Sequence, residues 1–247
     1  FWMIKGILFD KDGTIIDFFK VWQPAVRPVL INLLSFLDLS PTMDNILPLE
    51  EAIGIKNDVL DPEGALAWKP YEQIAADLAV ILEKERPNLE IGALQMLLER
   101  YFSEHFQTIT DYPVFTDMSV LFEELRKRKI KIGIVTTDNS DATQDCLSSL
   151  AIEKYVSYCA TADSGHPIKP SERLFRDVLR EWQLTCEEVA VVGDTPNDMR
   201  FALNGGGVPI GVLSGVGTYK SLSHYTDTII PSLAELLEFI DRRNEEI

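Results

Sequence analysis

The sequence predicts an α/β fold: a doubly wound, mainly parallel Rossmann-like sheet, with an all-helical insert after the first strand. Three observations carry this. Short apolar runs alternate with amphipathic helical patterns over most of the 247 residues, which implies right-handed crossovers and parallel strands. Residues 21–112 break the alternation and hold helical patterns alone. A crossover needs only about a dozen residues, so this stretch is a domain-sized addition. Finally, chemistry-bearing side chains follow the apolar runs, at the strand ends where such sheets bind ligands.

Taken in order, strands are expected at Ile4–Phe9, Ile130–Thr136, Val156–Ala160, Val189–Val192, Gly207–Val212 and Thr228–Ile230. Helices are expected at Met118–Arg128, where Leu121, Phe122 and Leu125 fall at helical spacing, then at Ala142–Leu150, Ser171–Trp182, Pro196–Leu203 and Leu233–Arg242. The insert reads as helices around Val21–Leu37, Thr42–Ala52, Pro70–Glu85 and Gly92–Gln107, with Pro, Gly and Asp clustered over Asn57–Gly64. The division is therefore a core of residues 1–20 and 113–247 and a helical domain of residues 21–112.

The composition is globular, 46% hydrophobic and 25% charged. A net charge of -16, from 39 acidic and 23 basic residues, argues against nucleic acid and anionic membrane as partners, because both need basic patches. It leaves a phosphorylated substrate open, since a metal and a few local cations invert the field at one site. Cys146, Cys159 and Cys186 are widely spaced, without a CxxC pair, and are expected as buried or half-buried free thiols. With no signal peptide or long apolar run, a cytoplasmic protein is expected, as monomer or homodimer. Phe1 and Trp2 precede Met3, a candidate native start.

Asp10-Lys11-Asp12-Gly13-Thr14 closes the first apolar run. If extended backbone persists, Asp10 and Asp12 project to one side, where they repel unless a cation or a shared proton relieves them. Thr136-Thr137-Asp138-Asn139 follows the second strand. It suits either a phosphate contact or a helix N-cap. Lys169 precedes Pro170 after the third strand, biased to extended geometry. Gly193-Asp194-Thr195-Pro196-Asn197-Asp198 follows the fourth, with Thr195 a plausible cap and Asp198 in the first helical turn. His105, His166 and His224 are assigned no role. Several carboxylates, one Lys and one hydroxyl converging on a sheet edge have the composition of a metal-dependent phosphoryl-transfer centre. Hard oxygen donors without clustered His or Cys select magnesium.

In these motifs and their order, the chain resembles a haloacid dehalogenase superfamily phosphatase, of the phosphoglycolate-phosphatase-like branch. The resemblance covers Met3–Lys20 and about Val114 to Ala234. The insert sits where the superfamily's first, helical type of cap sits. Only about thirty residues separate Thr136 from Lys169, too few for the superfamily's second, larger cap type. The resemblance implies Asp10 as a nucleophile forming an aspartyl-phosphate and Asp12 as general acid, then base. It implies Mg2+ held by Asp10, the backbone carbonyl of Asp12 and Asp194, with Asp198 in support. It assigns the transferring phosphoryl group to Lys169 and Thr136, in a pocket with Gly13, Thr14 and Thr137. The substrate would be a small phosphorylated metabolite, phosphoglycolate-like, with a sugar-phosphate phosphatase or a β-phosphoglucomutase-like mutase as alternatives and a non-catalytic regulatory protein as the remaining one.

In the cap, Ile53-Gly54-Ile55-Lys56 resembles a specificity segment, and Lys56 and Arg27 are candidates to meet an anionic substrate tail or, alternatively, solvated helix-end charges. Two places depart from the family pattern. Thr136 is followed by Thr137-Asp138, where many relatives have Asn directly, and the extra anion near a phosphate pocket is unhelpful unless it points away. Lys11 stands where an apolar or aromatic residue is usual. By strand alternation it is expected to point opposite to the acids and take no direct part.

Overall fold

The computed structural model describes residues 3–109 and 111–245. Phe1 and Trp2 lie outside them. In chain order, β1 (Gly6–Phe9) is followed by α1 (Phe18–Val21), α2 (Gln23–Phe36), α3 (Met43–Ala52), β2 (Ile55–Lys56), β3 (Val59–Leu60), α4 (Ala65–Trp68), α5 (Tyr71–Leu82) and α6 (Ile91–Phe106). Then come α7 (Met118–Lys127), β4 (Lys131–Val135), α8 (Ser140–Ser149), β5 (Val156–Ala160), α9 (Glu172–Trp182), β6 (Val189–Gly193), α10 (Pro196–Gly205), β7 (Val208–Val212), α11 (Tyr219–Leu222), β8 (Ile229–Ile230) and α12 (Leu236–Glu245). Two compact units result, Phe1–Phe18 with Asp111–Ile247, and Phe19–Thr110. Each junction lies two residues earlier than the sequence reading placed it.

The first unit is built on a six-stranded sheet in the order β5-β4-β1-β6-β7-β8. Every neighbouring pair is parallel. β1 lies at its centre because it is apolar at all four positions and buried on both faces, the pattern of an internal parallel strand. Alternation sends Leu8 to one face, where it joins a cluster with Phe175, Val178, Trp182 and Phe201. Phe9 goes to the other face and packs on Phe122 of α7, with ring centroids 5.2 Å apart. Helix α9 buries Leu174, Phe175, Val178 and Trp182, a stripe at helical spacing on an otherwise charged segment.

The inserted unit packs α5 on α6 and α2 on α6. Its core carries an aromatic group: Trp22 and Tyr71 lie 5.1 and 5.7 Å from Phe102, ring to ring. Here one expectation is corrected, because the insert is not all helical. β2 and β3 pair antiparallel as a small hairpin. Asn57 and Asp58 form its two-residue loop, at φ 52° and 59°. Two successive left-handed residues make the turn whose twist suits a hairpin, and Asn and Asp tolerate that region. Strands of two residues are too short to print an alternating pattern.

The cysteines are free, as expected, but Cys159 is exposed rather than buried. Its strand, β5, is an edge of the sheet. Among the described residues, no helix is long and apolar enough to cross a membrane.

Candidate active site

The three central strands position the first groups. Phe9 is level with Ile134 of β4 and Val192 of β6. Asp10 follows Phe9 by one residue, while Thr136 and Asp194 follow Ile134 and Val192 by two. All three therefore emerge at one edge of the sheet. Lys169 comes from the loop after β5 and is buried beside them.

Asp10, Asp194 and Asp198 are buried, with ligand oxygens within 4.8 Å of one another. The Lys169 ammonium donates to Asp10 Oδ1 and to Asp198 Oδ1, each at 2.6 Å. Asp198 Oδ2 accepts from the Thr195 hydroxyl at 2.6 Å and the Thr195 amide at 3.0 Å. Asp198 thus completes the capping box with Thr195 at the start of α10 and anchors Lys169 at once. Asp194 Oδ1 accepts from the Thr14 hydroxyl at 3.2 Å, and Oδ2 accepts from the Val216 amide at 2.8 Å.

Three carboxylates against one ammonium leave a charge of minus two. Burial pushes the Asp10 carboxyl up to about 7; Lys169 pulls it back and Asp198 adds to the rise. Burial, then Asp10 and Asp198, lift Asp194 well above the ordinary carboxylate range. Burial alone would lower the Lys169 ammonium, but Asp10 and Asp198 more than offset it and hold it above its usual value. Beside Asp198, Asn197 is buried with neither amide atom partnered among the described residues, which calls for water or an ion. The donor set fits a hard divalent cation: clustered oxygens, excess negative charge and no Cys or His.

Asp12 is not part of this cluster. After Asp10 the backbone leaves the extended conformation. The Ile15 and Ile16 amides turn back to the Lys11 carbonyl at 2.8 and 3.1 Å, and Gly13 takes φ +84°. The expected alternation stops there, and the reading of Lys11 is corrected with it. Lys11 is 3% exposed. Its ammonium donates to Asp12 Oδ1 at 2.8 Å and lies 3.0 Å from Asp138 Oδ2. The two carboxylates of the first motif are thus held by two different lysines. Asp138 is buried too, and its other oxygen accepts from the Asn139 amide at 2.8 Å. Burial raises the Asp138 carboxyl, and Lys11 pulls it back. Asn139, not Asp138, is the cap of α8, accepting from the Ala142 amide at 2.8 Å.

Thr136 is buried, and its hydroxyl oxygen accepts from the Asp138 amide at 3.1 Å. That bond leaves the hydroxyl hydrogen to donate elsewhere. Thr137 is half-buried.

The loop after β7 is a part of the site that sequence reasoning missed. Ser214 donates to the Gly13 carbonyl at 2.9 Å, and Val216 supports Asp194 as above. A Cβ on Gly215 would stand 2.0 Å from Asp194 Oδ2, and one on Gly13 would stand 2.4 Å from it. These two glycines let the backbone close around one carboxylate. The signal was present in Ser214-Gly215-Val216-Gly217, a glycine-rich run directly after a strand.

In the inserted unit, Lys56 is exposed and lies 2.9 Å from Glu51, which raises its ammonium. Arg27 donates to Glu50 at 2.8 and 3.0 Å and to Asp58 at 3.0 Å. Both cations are engaged by carboxylates of their own unit. Lys69 is likewise 2.7 Å from Asp77.

The model of the haloacid dehalogenase-like hydrolases matches residues 4–206. Glyceraldehyde 3-phosphate phosphatase of Methanocaldococcus jannaschii is 26% identical over 96% of this chain and 97% of that protein. Phosphoglycolate phosphatase of Shigella boydii is 27% identical over 95% and 91%. A predicted phosphoglycolate phosphatase from Haemophilus somnus superposes with a TM-score of 0.71 at 20% identity, covering 96% of this chain and 97% of that one. The family model spans the sheet from its first strand through the Asp194–Asp198 segment, and the chain belongs to the haloacid dehalogenase-like hydrolases.

Proposed function

We propose that this chain is a magnesium-dependent phosphomonoesterase acting on a small phosphorylated metabolite through an aspartyl-phosphate on Asp10. One observation carries the reading. Asp10 lies in a buried carboxylate cluster bonded to Lys169, while Asp12 stands apart on its own lysine. That separation suits one carboxylate to attack and the other to proton handling.

A carboxylate oxygen of Asp10 attacks phosphorus and the ester P–O bond breaks. Asp12 gives its proton to the departing oxygen. Water then attacks phosphorus, loses a proton to Asp12, and leaves as phosphate with Asp10 restored. Lys169 and the Thr136 hydroxyl hold the phosphoryl oxygens as charge shifts onto them, with Gly13, Thr14 and Thr137 around that pocket. Asp10, Asp194, Asp198 and the Asp12 backbone carbonyl would hold magnesium, which supplies charge neutralisation at the phosphoryl group.

Two of the relatives named above are phosphatases named for glyceraldehyde 3-phosphate and phosphoglycolate, both monoesters of small carbon skeletons. This supports a small metabolite, with phosphoglycolate the first candidate. The test is magnesium-dependent release of phosphate from a generic aryl phosphate, abolished by Asp10→Asn, followed by a panel of phosphorylated metabolites that includes phosphoglycolate. Folded, metal-loaded protein without activity would sink the reading. A product phosphorylated at a new position, in place of free phosphate, would make it a mutase.

A further inference from the structure

The structure brings Lys11 and Asp138 together as a buried ion pair beside Asp12. They come from different motifs, 127 positions apart, at the ends of the adjacent strands β1 and β4. Both are buried, 3% and 4% exposed. Their charged atoms stand 3.0 Å apart, and the same ammonium donates to Asp12 at 2.8 Å.

A lysine is costly to bury without a partner, and so is an aspartate. Each supplies the partner that the other needs. Asp138 is itself fixed by the Asn139 amide, and its own amide is tied to Thr136. The result is a chain of contacts from the Thr136 hydroxyl, through Asp138 and Lys11, to the Asp12 carboxylate. Asp12 belongs to a turn rather than to a strand, so its side chain lacks the alignment a sheet would impose.

We propose that Lys11 and Asp138 act as one positioning device that aims the Asp12 carboxyl group at the leaving-group oxygen. This rests on the reading of Asp12 as the acid/base residue. Lys11 acts on the substrate only through Asp12, and Asp138 only through Lys11. Asp138 holds the ammonium, and Lys11 transmits that placement to Asp12. Removing Lys11 alone leaves two carboxylates without the cation between them, and their repulsion displaces Asp12. Removing both charges restores a neutral wall beside Asp12.

The experiment compares kcat/KM for an alkyl phosphate and for a nitrophenyl phosphate in wild type, Lys11→Met, Asp138→Asn, the double variant and Asp12→Asn. This ratio reports the steps up to departure of the leaving group. An alkoxide needs the proton and a nitrophenolate does not, so only a misplaced acid separates the two substrates. Lys11→Met is expected to lose about tenfold or more on the alkyl phosphate and much less on the nitrophenyl phosphate. Adding Asp138→Asn to Lys11→Met is expected to recover part of that loss. Equal losses on both substrates, or losses that multiply in the double variant, would overturn the proposal. Should Lys11→Met fail to fold, Asp138→Asn still carries the test: it is expected to lose more on the alkyl phosphate than on the nitrophenyl phosphate, and wild-type-like discrimination in it would refute the proposal. Asp12→Asn separates the two ideas. If it shows no leaving-group dependence, the acid/base reading fails; if it does and the Lys11 variants do not, the positioning idea alone fails.

Discussion

The Lys169 ammonium sits 2.6 Å from Asp10 Oδ1, and both groups are buried at the edge of the central sheet. The same ammonium reaches Asp198 at 2.6 Å, so one cation ties the end of β1 to the start of α10. Lys169→Met removes this cation and, in the proposed mechanism, a donor to the transferring phosphoryl group. A kcat lower by about 10²–10³ is expected, with fold retained by circular dichroism. A variant within a fewfold of wild type would show that Lys169 serves the carboxylates alone.

Stability of the metal-free protein is expected to fall as pH rises. Burial places Asp10 near 7, against 3.8 for a free carboxyl, and moves Asp194 in the same direction. A carboxyl with a folded pKa above its unfolded value binds its proton more tightly when folded. Its contribution is most favourable below the unfolded value and is lost as pH climbs through about 4 to about 7, on the order of a few kcal/mol. Melting temperatures in chelator should decline across that window, and saturating Mg2+ should remove most of the slope. A slope that Mg2+ leaves unchanged would contradict the assignment of the cation to this cluster.

Gly215→Ala tests the loop that sequence reasoning missed. Its Cβ would stand 2.0 Å from Asp194 Oδ2, so the carboxylate or the loop must move. Displaced ligand support typically costs about tenfold in metal affinity. Titrating Mg2+ against melting temperature should show a comparable rightward shift. An unshifted curve would mean that the loop gives way without disturbing Asp194.

Arg27→Ala tests the interior of the inserted unit. Arg27 bonds the buried Glu50 of α3 and Asp58 of the hairpin loop. Truncation leaves Glu50 buried without that partner, at a cost of about 1–3 kcal/mol. Urea unfolding should report this loss. An unchanged midpoint would free Arg27 for a role toward substrate instead.

Much of this architecture was legible in the sequence, for a physical reason. Internal parallel strands are continuous apolar runs, so Gly6–Phe9, within the expected Ile4–Phe9, and Val189–Val192 announced themselves. Val156–Ala160 was read to the residue. Asp10, Thr136, Lys169, Asp194 and Asp198 were legible as candidates because strand ends are where such sheets present chemistry. What stayed hidden depended on departures from periodicity. Alternation predicted Lys11 on the far side from the acids, but the turn after Asp10 ended the strand one residue too soon. The Lys11–Asp138 contact joins distant positions, which local pattern does not register. The hairpin at Ile55–Leu60 is too short to alternate, and its turn chemistry, Asn57-Asp58, was the only signal it left.

The central claim is that Asp10 becomes phosphorylated, and it is tested most directly by trapping. Enzyme turning over a radiolabelled phosphate monoester with Mg2+ is quenched in acid, digested and separated. The account predicts label on the peptide that contains Asp10, lost on treatment with hydroxylamine and absent from Asp10→Asn. Turnover with no label on that peptide, or sustained activity in Asp10→Asn, would contradict it.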